Sequence, residues 1–132
     1  MRGDIQVIGA GLAGAEAAWQ LAQRGHQVLL REMRPEHLTP AHHTGQAAEM
    51  VCSNSFKSDD PHSATGILKA ELRRMDSLLL RCADATRVPA GGSLAVDREA
   101  FARTVTGELR SHPRIHWEGG LVTQPDPGCP TV

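Results

Sequence analysis

The stretch VIGAGLAGAEAAWQLAQRG, residues 7–25, joins a short apolar run to a glycine turn and then to a helical pattern. Ile5 to Ile8 reads as a short buried strand, and beyond the turn Ala17, Ala18, Leu21 and Ala22 share one helical face. Gly25 stands where a left-handed helix end favours a residue without Cβ. HQVLLREM follows, with Val28 and Leu30 in a second strand that ends at Glu32. Strand, helix and strand in so short a span form a βαβ unit, which places the chain in the α/β class with a Rossmann-like parallel sheet.

Inside that unit Gly9, Gly11 and Gly14 spell GxGxxG, with Ala10, Leu12 and Ala13 completing the turn. The pattern is weak by itself and gains meaning from the strand before it and the helix after it. Gly9 permits a tight turn, Gly11 lets the backbone approach a pyrophosphate, and Gly14 lets helix and strand pack closely. The helix N-terminus adds N–H donors and partial positive charge. Glu32, at the end of the second strand, can accept hydrogen bonds from an adenosine ribose, and an acid there disfavours a 2′-phosphate. The expectation is a dinucleotide site, open at this point to NAD and FAD alike.

The bulk numbers narrow the remaining classes. At 132 residues the chain can bury one core. Its 14 Lys+Arg against 15 Asp+Glu give a net charge of −1, so any polyanion must be met by a local patch rather than by the overall field. Aromatic residues make up 3% of the chain and Tyr is absent, which argues against a base-stacking RNA-binding sheet. Three cysteines without a CxxC or a secretory pattern point to a reducing cytoplasm, and no apolar run is long enough to span a membrane.

Residues 33–66 lack a sustained period and carry three prolines and AEMVCSNSFK at 48–57, so an irregular active-site loop is expected there. Cys52 lies in this loop among small polar residues. A lone cysteine is most often inert packing, yet a thiolate with its pKa lowered by Lys57, Arg34 or a helix N-terminus would be a nucleophile. His37, His42 and His43 with Cys52 do not make a convincing metal set, and none is assigned. From Ala64, the recurrence of Leu68, Leu72, Met75, Leu79 and Cys82 predicts one amphipathic helix with Arg73 and Arg74 outside and Cys82 on the buried stripe. Lys69, Arg73 and Arg74 read as a solvated face, with phosphate binding as the alternative. VPAGGSLAV reads as a turn with short extended flanks. Asp97 is placed to cap a helix bearing Phe101, Val105 and Leu109, and HP at 112–113 stops it. Ile115 and Trp117 alternate as in a strand, and residues 121–132 read as a turn-rich hairpin.

Taken in order, VIGAGLAGAEAAWQLAQRG, EMRP, TPAHHT, AEMVCSNS, GILKAELRRMDSL, VPAGG and LAVDR resemble the TrmFO family of folate- and FAD-dependent tRNA (uracil-5-)-methyltransferases. The resemblance implies that GAGLAG binds FAD, with Glu32 on its ribose. It also implies NADH or NADPH as reductant and methylenetetrahydrofolate as one-carbon donor. The implied product is 5-methyluridine in the T-loop of tRNA, with Cys52 as a proposed nucleophile at uracil C6 and TPAHHT near the flavin. Family members run to several hundred residues, so the resemblance further implies an incomplete FAD-binding domain, with 1–132 its N-terminal part and the remainder of the enzyme absent. Such a fragment is expected not to methylate tRNA alone. KSDDPHSAT departs from the family's more Asn-rich linker. Two rival readings stand beside this one: a related flavoprotein acting on the wobble uridine, or a generic FAD oxidoreductase, and a non-catalytic truncated nucleotide-binding fragment. Oligomeric state is left open.

Overall fold

A computed structural model describes residues 3–132. Three strands, β1 (Ile5–Ile8), β2 (Val28–Glu32) and β6 (Ile115–Gly119), form a parallel sheet in the order β1-β2-β6. Ile5 is opposite Val28, and Val28 is opposite Ile115 on its other side. α1 (Leu12–Gln23) is the crossover from β1 to β2, with Ala15, Ala18, Trp19 and Ala22 buried. Small side chains on that face let the helix lie close to the sheet. Gly25, at φ +95°, turns the chain back toward β2 as expected.

The second half adds α2 (Ala64–Arg74), α3 (Leu78–Ala85) and α4 (Arg98–Ser111) around a small antiparallel sheet. That sheet orders β3 (Ser55–Ser58), β5 (Ser93–Val96) and β4 (Arg87–Val88) as β3-β5-β4. Asp97 caps α4 by accepting from the Ala100 N–H at 2.9 Å, and Phe101, Val105 and Leu109 are fully buried. Phe101 meets Phe56 edge to face at 5.4 Å, which locks β3 onto the core. Among the described residues no helix is long and apolar enough to cross a membrane.

Three expectations need correction. The helix from Ala64 is broken, because the chain turns at Met75–Ser77 with Asp76 in the left-handed region at φ 55°. Leu68 and Met75 are therefore exposed at 54% and 58%, while Leu78, Leu80 and Cys82 lie in the core. The device that ends one helix and starts the next is Glu16 of α1. Its carboxylate accepts from Ser77 Oγ at 2.8 Å and from the N–H groups of Leu78 and Leu79, neutralising the start of α3. Second, residues 33–66 contain β3, which has too few residues and too polar a sequence to reveal itself. Third, 121–132 is not a hairpin. Thr131 forms a parallel bridge to Gln6, and the Gln6 N–H donates to the Pro130 carbonyl at 2.8 Å.

The Lys69, Arg73 and Arg74 cluster is likewise not a uniform outer face. Lys69 is buried and donates from Nζ to the carbonyls of Ser58 and Thr65 at 2.8 and 3.1 Å. Arg73 pairs with Asp59 and Asp84, each at 2.9 Å, leaving Arg74 alone exposed on that surface.

The broken helix makes opposite forecasts for two leucines. Leu78→Ala is expected to lower unfolding free energy by about 2–5 kcal/mol. Leu68→Ala should change it by no more than about 0.5 kcal/mol. Urea titrations of both variants check this, and equal losses would favour the continuous helix.

Candidate dinucleotide site and the Cys52 loop

The site grows from the ends of β1 and β2, where Ile8 lies opposite Arg31. Gly9 leaves β1 at φ +97°, a conformation that side chains resist. A Cβ on Gly14 would fall 1.8 Å from the Gly9 carbonyl oxygen, so helix and turn touch through bare backbone. A Cβ on Gly11, by contrast, would meet nothing within 4 Å. Gly11 is also the N-cap residue of α1, and no side chain caps that helix. Its first-turn N–H groups and the positive end of its dipole are thus left to an outside partner.

A cavity of about 320 Å³ opens beside this turn, lined by Ile8, Gly11, Glu32, His42, Gly120 and Leu121 among others. It accounts for two large apolar side chains, Ile8 and Leu121, that are exposed at 38% and 52%. Glu32 forms its buried wall. Oε2 accepts from the Ala10 N–H at 2.7 Å, and Oε1 accepts from the Arg34 N–H at 2.9 Å and from Arg34 Nε at 3.0 Å. Burial pushes the Glu32 carboxyl up, but these hydrogen bonds and the guanidinium charge outweigh it and hold the group below the usual glutamate range.

Arg34 continues the chain of charge. It is 4% exposed, and its Nη1 reaches Glu49 Oε2 at 3.0 Å and the Thr44 carbonyl at 3.5 Å. Glu49 in turn accepts from the N–H groups of His43 and Thr44 at 2.9 and 3.3 Å. Burial raises its pKa, and the backbone donors together with the charges of Arg34 and His42 more than reverse the effect. The Arg34 guanidinium is thus committed to two carboxylates, Glu32 and Glu49.

The Cys52 loop is tied to the glycine turn and to α4 through two buried alanines, one to each. The Ala48 N–H donates to the Ala10 carbonyl at 2.8 Å, and the Ala47 N–H to Thr106 Oγ1 of α4 at 2.8 Å. Ala48 holds φ 53°, a left-handed strain that these contacts sustain. Four residues on, Cys52 is exposed, and its thiol makes no hydrogen bond among the described residues. Cys82 is buried, its thiol pushed up to about 11 by desolvation. A larger cavity of about 580 Å³ lies between this loop and α4, with Met50, Val51, Glu49, Arg98 and Arg103 on its walls. Arg98 reaches back to the Met50 carbonyl at 3.4 Å.

Sequence reasoning located the glycines, Glu32 and Cys52 but missed the parts that join them. Arg34, two residues beyond Glu32, carried a usable signal, since side chains at that spacing in an extended segment share a face. Glu49, Ala47, Ala48 and Thr106 carried none.

The family model described as Glucose inhibited division protein A matches residues 4–127. Over 115 residues the chain is 58% identical to the methylenetetrahydrofolate–tRNA-(uracil-5-)-methyltransferase TrmFO of Nitrobacter winogradskyi, covering 86% of this chain and 24% of that protein. It is 62% identical over 111 residues to TrmFO of Desulfitobacterium hafniense, covering 84% and 25%. The chain therefore spans about a quarter of the length of these curated relatives. Among solved structures, GidA of Aquifex aeolicus superposes with a TM-score of 0.69 at 16% identity, over 89% of this chain and 19% of that one.

Because Glu32 and Glu49 have lower pKa values folded than unfolded, their contribution to stability is present above the ordinary glutamate pKa of about 4.3 and is lost as the pH falls through the folded values. Urea midpoints are expected to hold near neutrality and to drop below about pH 4.3. Glu49→Gln should be less stable at pH 7 and show a shallower acid decline; an unchanged decline would remove the Arg34 ion chain as its cause.

Proposed function

Since the chain belongs to the Glucose inhibited division protein A family, we propose that its residues serve the folate- and FAD-dependent methylation of uracil C5 in the T-loop of tRNA. What carries this reading is the uncapped glycine turn, closed at Gly14 and open at Gly11, in a chain 58–62% identical to TrmFO enzymes. The wobble-uridine and generic oxidoreductase readings stand behind it, because the relatives at 58–62% identity are named as TrmFO enzymes.

The residues present suit FAD. The first-turn N–H groups of α1 would receive its pyrophosphate, Gly9 to Gly14 would give the backbone room for it, and Glu32 stands at the ribose end. When bound, the flavin supplies the reducing power that turns a one-carbon unit from methylenetetrahydrofolate into a methyl group, with NADH or NADPH as the ultimate reductant. The protein's part is orientation and nucleophilic assistance. Residues 33–66 form the active-site loop in this reading.

Cys52 is the proposed nucleophile. Its thiolate would add to uracil C6, and the electron pair of the C5–C6 double bond would move toward the C4 carbonyl, making C5 reactive as an enolate carbon. Once C5 is bonded to the one-carbon unit, loss of the C5 proton would expel the folate nitrogen and leave an exocyclic methylene; a hydride equivalent added to that carbon would restore the C5–C6 double bond as the thiolate leaves C6, giving the methyl group. An exposed thiol on a loop anchored by Ala47 and Ala48 suits a macromolecular substrate that must approach from outside. The setting is cytoplasmic, where reduced thiols and reduced nicotinamide nucleotides are both available.

Two measurements test the proposal. Gly11→Val should cost no more than about 1 kcal/mol of stability, because its Cβ enters open space and only the N-cap preference for Gly over Val is lost, yet weaken FAD binding at least about tenfold by filling the pyrophosphate approach; flavin fluorescence titration reads the effect. Cys52→Ser is expected to abolish T-loop methylation at unchanged FAD affinity in the methylating protein. Methylation that persists in that variant would exclude Cys52 from the chemistry.

A further inference from the structure

The larger cavity, of about 580 Å³, shares no lining residue with the one beside the glycine turn, so a pyrophosphate held at that turn leaves it without a ligand group. Its walls combine apolar surface from Met50, Val51 and Ala102 with the guanidinium of Arg98, the first residue of α4. Arg98 is exposed and has no carboxylate partner among the described residues. Its Nη1 donates to the Met50 carbonyl at 3.4 Å. A guanidinium carries several N–H donors in a fixed fork, so the rest remain for an outside acceptor.

The other charged side chains on these walls are matched. Glu49 is held by Arg34 Nη1 at 3.0 Å and by the amides of His43 and Thr44. Glu99 and Arg103, both exposed, lie 3.8 Å apart and offset one another. Arg98 is thus the unbalanced cation of the cavity. Met50 stands two residues before Cys52, and two residues of chain span at most ~7 Å. Arg98 therefore ties down the stretch that carries the thiol while offering donors to the cavity beside it. Uracil has no charge of its own, and the nearest anions in an RNA are the phosphodiesters on either side of its nucleotide. A guanidinium fork matches two phosphate oxygens at once. In a chain of net charge −1, such local pairing has to do what the overall field cannot.

Resting on the tRNA-methylation reading above, we infer that this cavity receives a phosphodiester next to the target uridine and that Arg98 binds it, which sets the register of uracil C6 against Cys52. Arg98 is then a substrate-binding residue of the RNA site.

The probes are an unmodified T-loop RNA and two copies carrying a single neutral methylphosphonate linkage, 5′ or 3′ of the target uridine, titrated into the methylating protein. Wild type is expected to bind one of the neutral-linkage RNAs about tenfold more weakly than the unmodified one, the worth of a hydrogen bond to a charged group. Arg98→Gln, whose amide can still donate to the Met50 carbonyl, should lose that discrimination and lower the slope of log affinity against log salt by about 0.7. Its FAD affinity and its KM for methylenetetrahydrofolate should stay at the wild-type values, which also certifies its fold. Arg98→Lys should keep the salt slope with reduced discrimination, because a point charge replaces a two-pronged contact. Should Arg98→Gln fail to hold FAD, Arg98→Lys decides, and undiminished discrimination there overturns the assignment. Discrimination that persists in Arg98→Gln overturns it too, as does a raised KM for methylenetetrahydrofolate with RNA binding unchanged, which would make the anion a folate carboxylate. A wild type that methylates T-loop RNA but binds all three RNAs alike overturns this assignment and leaves the methylation reading standing. A wild type that neither binds nor methylates T-loop RNA overturns both.

Discussion

The guanidinium of Arg34 lies buried between the carboxylates of Glu32 and Glu49, and the glycine-turn end of the molecule is arranged around it. A charge at that depth is stable only with its partners in place, so the positions of all three side chains are mutually dependent. Glu32 carries the constraint to the Ala10 amide in the glycine turn, and Glu49 carries it to the amides of His43 and Thr44. One cation thereby sets both the turn that would meet a pyrophosphate and the loop that approaches it from the other side. An apolar set of similar volume packs a buried position as well as an ion pair does, but it would not dictate where two separate segments of backbone must sit.

Ala10 is the point where this order converges. Its N–H is held by Glu32 and its carbonyl by Ala48, so the glycine turn is fastened on both edges while the start of α1 carries no side-chain cap. From Ala48 the chain needs only four residues to reach Cys52. Anchoring and exposure are therefore adjacent in the sequence: buried alanines take the strain, and the thiol stands clear of the core.

Much of this was legible beforehand, and the reasons for the exceptions are physical. The βαβ unit announces itself because its signals are local: alternation, glycine spacing and a small-residue helix face. Asp97 and the buried positions of α4 are legible on the same ground. The break between α2 and α3 was not, because Leu72, Met75 and Leu79 continue a helical period straight through it. What overrides the period is Glu16, far away in sequence, which takes the amides of Leu78 and Leu79. β3 escaped notice because SFKS owes its strand conformation to pairing with β5 and to Phe56 packing on Phe101, not to its own composition. In the site, the glycines were readable and the ion chain was not, since Glu49 meets Arg34 only after an irregular loop has folded back.

The order of strands in the parallel sheet also bears on how the molecule is made. β2 is the central strand, with β1 a short crossover away on one side and β6 on the other. The β1–α1–β2 unit closes a small loop and can form early. Its remaining edge must wait for β6, with three helices and the whole antiparallel sheet lying between them in the chain. During that interval Val28 and Leu30 sit on a strand with one row of amides and carbonyls unpaired, a template for another chain. The rate at which α4 delivers β6 to that edge thus governs a competition between completing one molecule and joining two.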